Sequence, residues 1–215
     1  MRDLSLAQYA ARYLDQAEVS GETLRLREAE QADYRLPRRP PRSHKYSYGR
    51  ALVIAGALGY SGASVLAANA CERSGAGLTQ LMVPESIYPI AAMGCDGAVV
   101  TPLPATERGG LSARALPELL QQLEKAKACA IGPGLGTEEE TKELVRAVLR
   151  HAACPLVLDA DALNACAGRE ELLSACRAPL LITPHEGEFR RLGGELKTAD
   201  SPARCASPGS IPGCS

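Results

Sequence analysis

Short apolar runs alternate along the chain with longer segments in which apolar residues recur at helical spacing. Five of these runs have the length and aliphatic content of buried strands, and they cover residues 51–55, 78–83, 128–131, 156–158 and 179–183. The segments between them predict helices over residues 62–74, 112–124, 138–151 and 161–176. Such alternation favours right-handed crossovers, so the chain is predicted to be an α/β protein with a doubly wound, mainly parallel sheet.

The helix predicted over residues 138–151 has the strongest local signals. Thr137 followed by Glu140 matches a capping box, and the glutamates of the first turn suit the positive end of a helix. The glycine-rich residues 131–136 lie directly before this helix. Its free backbone N–H groups are therefore predicted to face an anion or a ligand carbonyl.

Both ends of the chain lack the alternation. Residues 1–35 are rich in charge, with apolar positions at helical spacing, and predict a helical N-terminal extension. The proline- and arginine-rich residues 36–42 then form a connector, whose arginines we interpret as solvated rather than phosphate-binding. Residues 195–215 carry no periodic apolar signal and are predicted to be disordered. The α/β domain is thus expected to span residues 36–194.

Composition narrows the classes of ligand. Of the 215 residues 46% are hydrophobic and 23% charged, which suits one sizeable core, and the net charge of −1 gives no basic field for nucleic acid or an anionic membrane. No apolar run has the length of a secretion signal or a membrane span. The eight cysteines form no CxxC pair, which favours reduced thiols in a cytoplasmic protein. A small-molecule ligand is expected.

Four polar or glycine-rich segments follow the ends of predicted strands. They are residues 56–63, 131–136, 159–164 and 183–188. The carboxyl ends of parallel strands share one edge of a sheet, and ligands bind in the crevice outside that edge. These segments therefore predict the rim of a binding site.

Several rim residues have two interpretations. Gly56 and Gly62, taken singly, are more typical of turn geometry than of ligand binding. Ala63 suits either packing or the close approach of a ligand. Asp161 could bind a metal or hydroxyl, or could act as the N-cap of the next helix, whereas Asn164 is favoured as a ligand-binding residue.

Histidine is rare in the chain, which makes His185 informative. It lies beside Glu186 and Glu188, and such a polar cluster at a strand end favours a functional role over a structural one. His151, at the end of the helix over residues 138–151, is instead predicted to complement the negative end of that helix.

The ordered motifs together resemble a known family. His44-Lys45, Gly49-Arg50 and the four rim segments, in this order and spacing, are similar to the ADP- or ATP-dependent NAD(P)H-hydrate dehydratases, which are ribokinase-like lyases. The resemblance covers residues 36–194. It implies that hydrated NADH or NADPH (NADHX or NADPHX) is phosphorylated on its ring hydroxyl and then loses phosphate, which regenerates NAD(P)H.

The resemblance also implies roles for particular residues. Ala63, Gly134 and His185 would line the site of the hydrated dinucleotide. Asp161, Asn164 and Glu188 would lie near the nucleotide phosphoryl donor, ADP or ATP, and its Mg²⁺, with Glu188 acting through water and no residue ligating the metal directly. A separate NAD(P)H-hydrate epimerase is the expected functional partner.

Two departures from the family pattern change the expectation. Tyr46 replaces the usual glycine after His-Lys and is expected to alter the access loop. The family's Gly-x-Gly-Asp segment, which supplies an anion hole and the catalytic aspartate, has no counterpart in these 215 residues. The chain is therefore expected to be a C-terminally shortened dehydratase, with an incomplete sheet whose exposed edge favours a homo-oligomer.

Two alternatives remain open from the sequence. The first is a catalytically incompetent fragment or pseudoenzyme that binds a dinucleotide or only associates with other chains. The second is a ribokinase-like kinase for a vitamin precursor, which would share the fold.

Overall fold

A computed structural model of the chain describes residues 39–169 and 171–194, together with the backbone of two short strands. These strands, β1 (Glu18–Val19) and β2 (Glu22–Thr23), pair antiparallel where the sequence predicts helix. The rest of the predicted N-terminal extension and the predicted disordered tail lie outside the described residues.

The main sheet confirms the predicted doubly wound architecture. Within the described residues it has six strands, all parallel, in the order β5-β4-β3-β6-β7-β8. The strands are β3 (Arg50–Ile54), β4 (Leu78–Pro84), β5 (Val99–Leu103), β6 (Ala128–Ile131), β7 (Leu156–Leu158) and β8 (Leu180–Ile182). Five of them match the predicted apolar runs within one or two residues.

Seven α-helices are found in the described part of the chain. They are α1 (Ser61–Arg73), α2 (Tyr88–Gly94), α3 (Leu116–Glu124), α4 (Glu139–His151), α5 (Asp161–Cys166), α6 (Glu171–Ala175) and α7 (Glu186–Arg191). The helix predicted over residues 161–176 is split into α5 and α6, because the chain turns at Gly168 with φ +72°.

Side chains alternate between the two faces of the sheet. Leu52 and Ile54 of β3 belong to the larger core, to which α3, α4 and α5 contribute. Val53 belongs to a smaller core beneath α1 and α2. Both faces of the central strand are therefore buried, as expected where helices cover both sides of a parallel sheet.

The strand order creates a switch point at the centre of the sheet. From β3 the chain steps outward through β4 to β5, and it then returns to β6, on the other side of β3, before stepping outward to β8. The loops after β3 and β6 therefore lead away from each other. In open α/β sheets this divergence leaves a crevice at the carboxyl edge where ligands bind.

Candidate functional site

Backbone hydrogen bonds join the two loops that border the switch point. The N–H of Gly56, after β3, donates to the Pro133 carbonyl at 2.8 Å, and the N–H of Gly132, after β6, donates to the Ile54 carbonyl at 3.2 Å. A Cβ on Gly132 would lie 1.7 Å from the Asp159 carbonyl oxygen, so only glycine fits there. The floor of the crevice is thus built from closely packed backbone.

Two of the predicted substrate-site residues meet at this crevice. Gly134 has φ +64°, and a Cβ there would lie 3.0 Å from the Ala63 Cβ and 2.9 Å from the Tyr60 Cβ. Packing of the β6 loop on the start of α1 therefore requires small side chains at both positions. Small side chains at Ala63 and Gly134 serve this packing and would also allow a ligand to approach closely, so the two roles are compatible.

Open space lies beside this contact. A Cβ on Gly59 or on Gly62 would have no heavy atom within 4 Å beyond its own neighbours. Gly62 is the second residue of α1, and the N–H groups of the first helical turn have no partner within the helix. The crevice thus combines room with the N–H groups of Ser61 and Gly62 at the positive end of a 13-residue helix.

The loop after β5 forms a further wall that the sequence patterns did not indicate. The Gly109 carbonyl accepts hydrogen bonds from the Leu58 N–H at 3.0 Å and from Ser86 Oγ at 2.9 Å. Thr106 Oγ1 donates to Glu138 Oε2 at 2.7 Å. In the sequence, the adjacent glycines 109 and 110 are the signal that could have indicated this loop, since such pairs mark tight turns.

The predicted capping box at Thr137 and Glu140 is wrong. Helix α4 begins at Glu139, and its N-cap residue, Glu138, makes no side-chain cap bond. Glu140 instead accepts hydrogen bonds from Ser112 Oγ at 2.8 Å and the Ala113 N–H at 2.9 Å, and these bonds lower the pKa of the Glu140 carboxyl. Donors from a distant loop have replaced the local backbone partner.

Asp161 is not an N-cap, so one of its two sequence interpretations is wrong. The N-cap of α5 is Ala160, which adopts a positive φ of 48°, and Asp161 is the first helical residue. Asp161 Oδ2 accepts from the Gly136 N–H at 2.9 Å, while Oδ1 accepts from Asn164 Nδ2 at 3.1 Å. The carboxylate therefore holds the glycine-rich loop in place.

The same network continues to the end of the sheet. Asn164 Oδ1 accepts from Arg191 Nε at 2.9 Å, which links α5 to α7. We call the series Gly136, Asp161, Asn164 and Arg191 the rim chain. It joins the segments that follow β6, β7 and β8, so the predicted residues Asp161 and Asn164 act in this structure as positioning residues.

His185 caps a helix, and its side chain is also exposed to solvent. It is the N-cap of α7, and its Nδ1 accepts from the Gly187 N–H at 3.0 Å. Nδ1 thus serves as the cap acceptor, and the other ring nitrogen, Nε2, lies 3.2 Å from Glu188 Oε1. The His185 side chain is still 66% exposed.

Glu188 completes a capping box that the sequence patterns missed. Its Oε2 accepts from the His185 N–H at 3.0 Å, and the residue is buried. His-x-x-Glu directly before a helix resembles the Ser/Thr-x-x-Glu signal, with imidazole in place of hydroxyl. His185 lies at the same edge as Ala63 and Gly134, at the end of β8, two strands from β6.

The carboxylates predicted to lie near Mg²⁺ do not fit direct metal ligation in this structure. Both oxygens of Asp161 and both of Glu188 already contact donors of the protein. Among residues 39–169 and 171–194, no three His, Cys, Asp or Glu side chains are grouped so that they could hold a metal ion.

Tyr46 lies away from the crevice, so its expected effect on the access loop is wrong. Residues Lys45–Tyr48 form a 3₁₀ helix immediately before β3, and the Leu78 N–H donates to the Gly49 carbonyl there at 3.1 Å. These contacts are at the amino ends of β3 and β4. The departure at this position therefore lies at the edge of the sheet opposite the crevice.

Predictions remote from the rim agree with the structure. His151 is the last residue of α4, and its Nδ1 lies 2.8 Å from the Ala147 carbonyl oxygen, as predicted for a side chain that complements the helix end. Cys71, Cys95, Cys129, Cys154 and Cys176 carry free thiols. Burial raises the pKa of the Cys129 and Cys154 thiols, as expected for small core side chains. No helix in the described part of the chain is long and apolar enough to cross a membrane.

Comparison with known proteins finds a family that matches most of the chain. A family model described as NAD(P)H-hydrate dehydratase matches residues 51–208. The bifunctional NAD(P)H-hydrate repair enzyme Nnr of Salinibacter ruber is 44% identical over 161 residues, which are 74% of this chain and 30% of that protein. The chain therefore spans less than a third of the length of this relative.

Solved structures show the same fold. The ADP/ATP-dependent NAD(P)H-hydrate dehydratase of Bacillus subtilis, co-crystallized with ATP/Mg²⁺, is 35% identical with a TM-score of 0.58, covering 73% of this chain and 51% of that one. A ribokinase-like superfamily protein of Enterococcus faecalis is 26% identical with a TM-score of 0.60, covering 72% and 51%. The predicted ribokinase-like fold is confirmed over the matched part.

Proposed function

The chain belongs to the NAD(P)H-hydrate dehydratase family, and on this premise we propose that its switch-point crevice binds hydrated NADH or NADPH. Ala63 and Gly134 would border the ligand, and the exposed imidazole of His185 would contact it from the β8 side of the rim. The observation that carries the proposal is the contact of Ala63 with Gly134 where the loops after β3 and β6 diverge.

The chemistry of the crevice suits a dinucleotide. The first N–H groups of α1, at Ser61 and Gly62, can donate to a phosphate oxygen, and the helix dipole favours its negative charge. Open space beside Gly59 and Gly62 leaves room for the chain of phosphates and rings. The Gly136 N–H is not available for this purpose, because Asp161 already accepts from it.

The proposed reaction is a dehydration driven by a nucleotide. A phosphoryl group passes from ADP or ATP to the hydroxyl oxygen of the hydrated ring. The carbon–oxygen bond then breaks, phosphate leaves with that oxygen, and loss of a proton from the neighbouring carbon restores the ring double bond. The name and contents of the Bacillus subtilis structure support ATP and Mg²⁺ as cofactors. Because Asp161 and Glu188 are engaged within the protein, we assign no step to Mg²⁺ through them.

A steric variant tests the proposed binding site. Gly62→Leu places a side chain in the open space without a clash, and leucine favours a helix more than glycine by roughly 1 kcal/mol. We expect Gly62→Leu to keep or raise the melting temperature but to weaken NADPH binding at least tenfold in a fluorescence titration. Ala70→Leu is the matched control, since Ala70 is exposed in the last turns of the same helix. Equal NADPH affinity in both variants would contradict the proposed site.

Gly134 is a poorer place for the same test. A side chain there would collide with Tyr60 and Ala63 of the protein itself, and the positive φ would strain it. Loss of binding in Gly134→Leu could then come from a displaced loop as readily as from a blocked ligand.

A second candidate function is binding without turnover. These 215 residues contain no Gly-x-Gly-Asp segment, which the family resemblance implies as the anion hole and the source of the catalytic aspartate. Preorganised donors at the transferring group supply most of the catalysis in phosphoryl transfer. We therefore expect no nucleotide-dependent recovery of NADH absorbance when the 215-residue chain is mixed with hydrated NADH, ATP and Mg²⁺. Robust recovery would refute this candidate.

The proposed cellular context follows from the relatives. Several of them are named bifunctional NAD(P)H-hydrate repair enzymes, which supports a functional link to an NAD(P)H-hydrate epimerase. We further propose a cytoplasmic location and a homo-oligomer. The family match favours the dehydratase over the vitamin-precursor kinase considered from the sequence.

A further inference from the structure

Two large apolar side chains project from the loop between β3 and α1. Leu58 is 61% exposed and Tyr60 is 60% exposed, and they flank Gly59. Leaving such side chains in water forgoes the stabilisation that their burial would give. Neighbouring exposed apolar groups at a crevice are typical of a site that a ligand covers.

The base of each side chain is held firmly. The Tyr60 N–H donates to the Ala57 carbonyl at 2.8 Å, its own carbonyl accepts from the Ala63 N–H at 3.2 Å, and its Cβ packs against Gly134. The Leu58 N–H donates to the Gly109 carbonyl at 3.0 Å. The loop is therefore fixed by contacts on both sides, while Leu58 and Tyr60 both remain more than half exposed.

The space between these two side chains is open. Gly59, between them, has φ +86°, and a Cβ there would have no heavy atom within 4 Å. No side chain therefore rises between Leu58 and Tyr60. The phenol ring of Tyr60 offers the larger surface, and aromatic rings pair best with other flat rings in offset or edge-to-face geometry.

We propose that Tyr60, with Leu58 beside it, is the platform on which a nitrogen heteroaromatic ring of the bound dinucleotide stacks. The proposal rests on the proposed function, because it takes the ligand of the crevice to be a dinucleotide. The nicotinamide and adenine rings share the chemistry that the platform recognises, and the test separates them. Tyr60 acts as a binding residue and takes no part in bond breaking.

The test compares Tyr60→Leu and Tyr60→Phe with wild type. Leucine keeps the Cβ contact with Gly134 and the apolar character but loses the ring face, whereas phenylalanine keeps the ring. We expect NADPH to bind roughly tenfold more weakly to Tyr60→Leu and within about twofold of wild type to Tyr60→Phe, since stacking on an aromatic side chain contributes on that scale. Tyr46→Leu is the matched control, because Tyr46 is 71% exposed at the opposite edge of the sheet and should not affect binding.

Saturation-transfer NMR on the ligand identifies the ring. Nicotinamide mononucleotide and ADP are each added to wild type and to Tyr60→Leu. Saturation of the ring protons of one of them should be strong in wild type and lost in Tyr60→Leu. Should Tyr60→Leu unfold, Leu58→Ser removes the other half of the platform and should weaken NADPH binding severalfold at an unchanged melting temperature.

The outcomes separate the two proposals. If wild type does not bind NADPH, the proposed function fails whether or not ADP binds, because ADP is also the proposed phosphoryl donor. If wild type binds NADPH and a folded Tyr60→Leu binds it equally well, with unchanged ring saturation, the platform is overturned. Equal losses in Tyr60→Phe and Tyr60→Leu would also overturn it, because the hydroxyl group rather than the ring face would then carry the affinity.

Discussion

At the scale of single residues, His185 combines two roles that the sequence posed as alternatives. Its Nδ1 caps α7, and its side chain remains largely exposed at the rim. The N-cap role explains why this position carries a hydrogen-bond acceptor, but Ser, Thr, Asp and Asn are the usual N-cap residues. The choice of imidazole therefore favours an additional contact with a ligand.

Substitution by asparagine separates the two roles. Asparagine accepts hydrogen bonds at an N-cap, so His185→Asn should unfold within a few degrees of wild type, whereas His185→Ala should lose about 1 kcal/mol of stability. If the imidazole contacts the ligand, both variants should bind NADPH more weakly by a similar factor. Calorimetric titration beside thermal unfolding measures both effects. Full NADPH affinity in His185→Asn would show that His185 is only a cap.

Residue-level prediction from sequence was limited to what one segment shows. The small residues Ala63 and Gly134 are visible at strand-to-helix turns, and the structure packs them together, but their role at the dinucleotide site, which the family resemblance implies, stays a prediction. The long-range partners of Asp161 and Glu140 could not be predicted, because Gly136 lies 25 positions from Asp161, and Ser112 and Ala113 lie 28 and 27 positions from Glu140. Local capping rules predict local partners, whereas these donors come from distant parts of the chain.

At the scale of elements, the rim chain explains how three successive strand ends are held together. Asp161 connects the loop before α4 to α5, and Asn164 connects α5 to Arg191 of α7. Arg146 of α4 reinforces the same region, because its Nε donates to the Ala165 carbonyl at 3.0 Å while Glu139 and Glu143 contact its Nη1. Asp161 thus positions the glycine-rich loop, and contacts from α4 and α7 hold α5, which carries Asp161.

Removing the carboxylate of Asp161 should loosen that loop. Asp161→Ala leaves the Gly136 N–H without its acceptor, and a hydrogen bond to a charged group contributes roughly 2 kcal/mol. We expect a loss of stability on that scale in urea unfolding, with faster hydrogen exchange at Gly136. Asp96→Ala is the control, since the Asp96 carboxylate pairs with Arg73 at an exposed position and its removal should cost less than about 1 kcal/mol. A loss no larger than that of Asp96→Ala would contradict the positioning role.

Element prediction failed where the hydrophobic signal is weak. Strand β5 lies at the edge of the sheet, contains Pro102 and leaves Val99 exposed, so its residues do not read as a buried run. Helix α7 has six residues, too few for a helical period to emerge. The central strands β3, β6 and β7 were predictable because their residues are apolar on both faces.

At the scale of the whole molecule, the order β5-β4-β3-β6-β7-β8 decides where a ligand can bind. Alternation of strands and helices predicts a doubly wound sheet, but it does not say between which strands the chain reverses direction. That reversal between β3 and β6 brings two of the four predicted rim segments into direct contact. Asp161 links the segment over residues 159–164 to them, and Thr183 Oγ1 donates to Asp159 Oδ1 at 2.8 Å, which links the segment over residues 183–188. The loop after β5 joins them through Gly109.

Mapping of backbone amide shifts with NADPH tests the central claim most directly, since it locates the ligand without any substitution. Isotope-labelled 215-residue chain is titrated with NADPH and followed by two-dimensional NMR. The account predicts the largest shifts in residues 59–63 and 132–136, with residues 45–49 at the opposite edge unchanged. Saturable shifts confined to the opposite edge, or no shift at saturating NADPH, would contradict a dinucleotide site at the switch-point crevice.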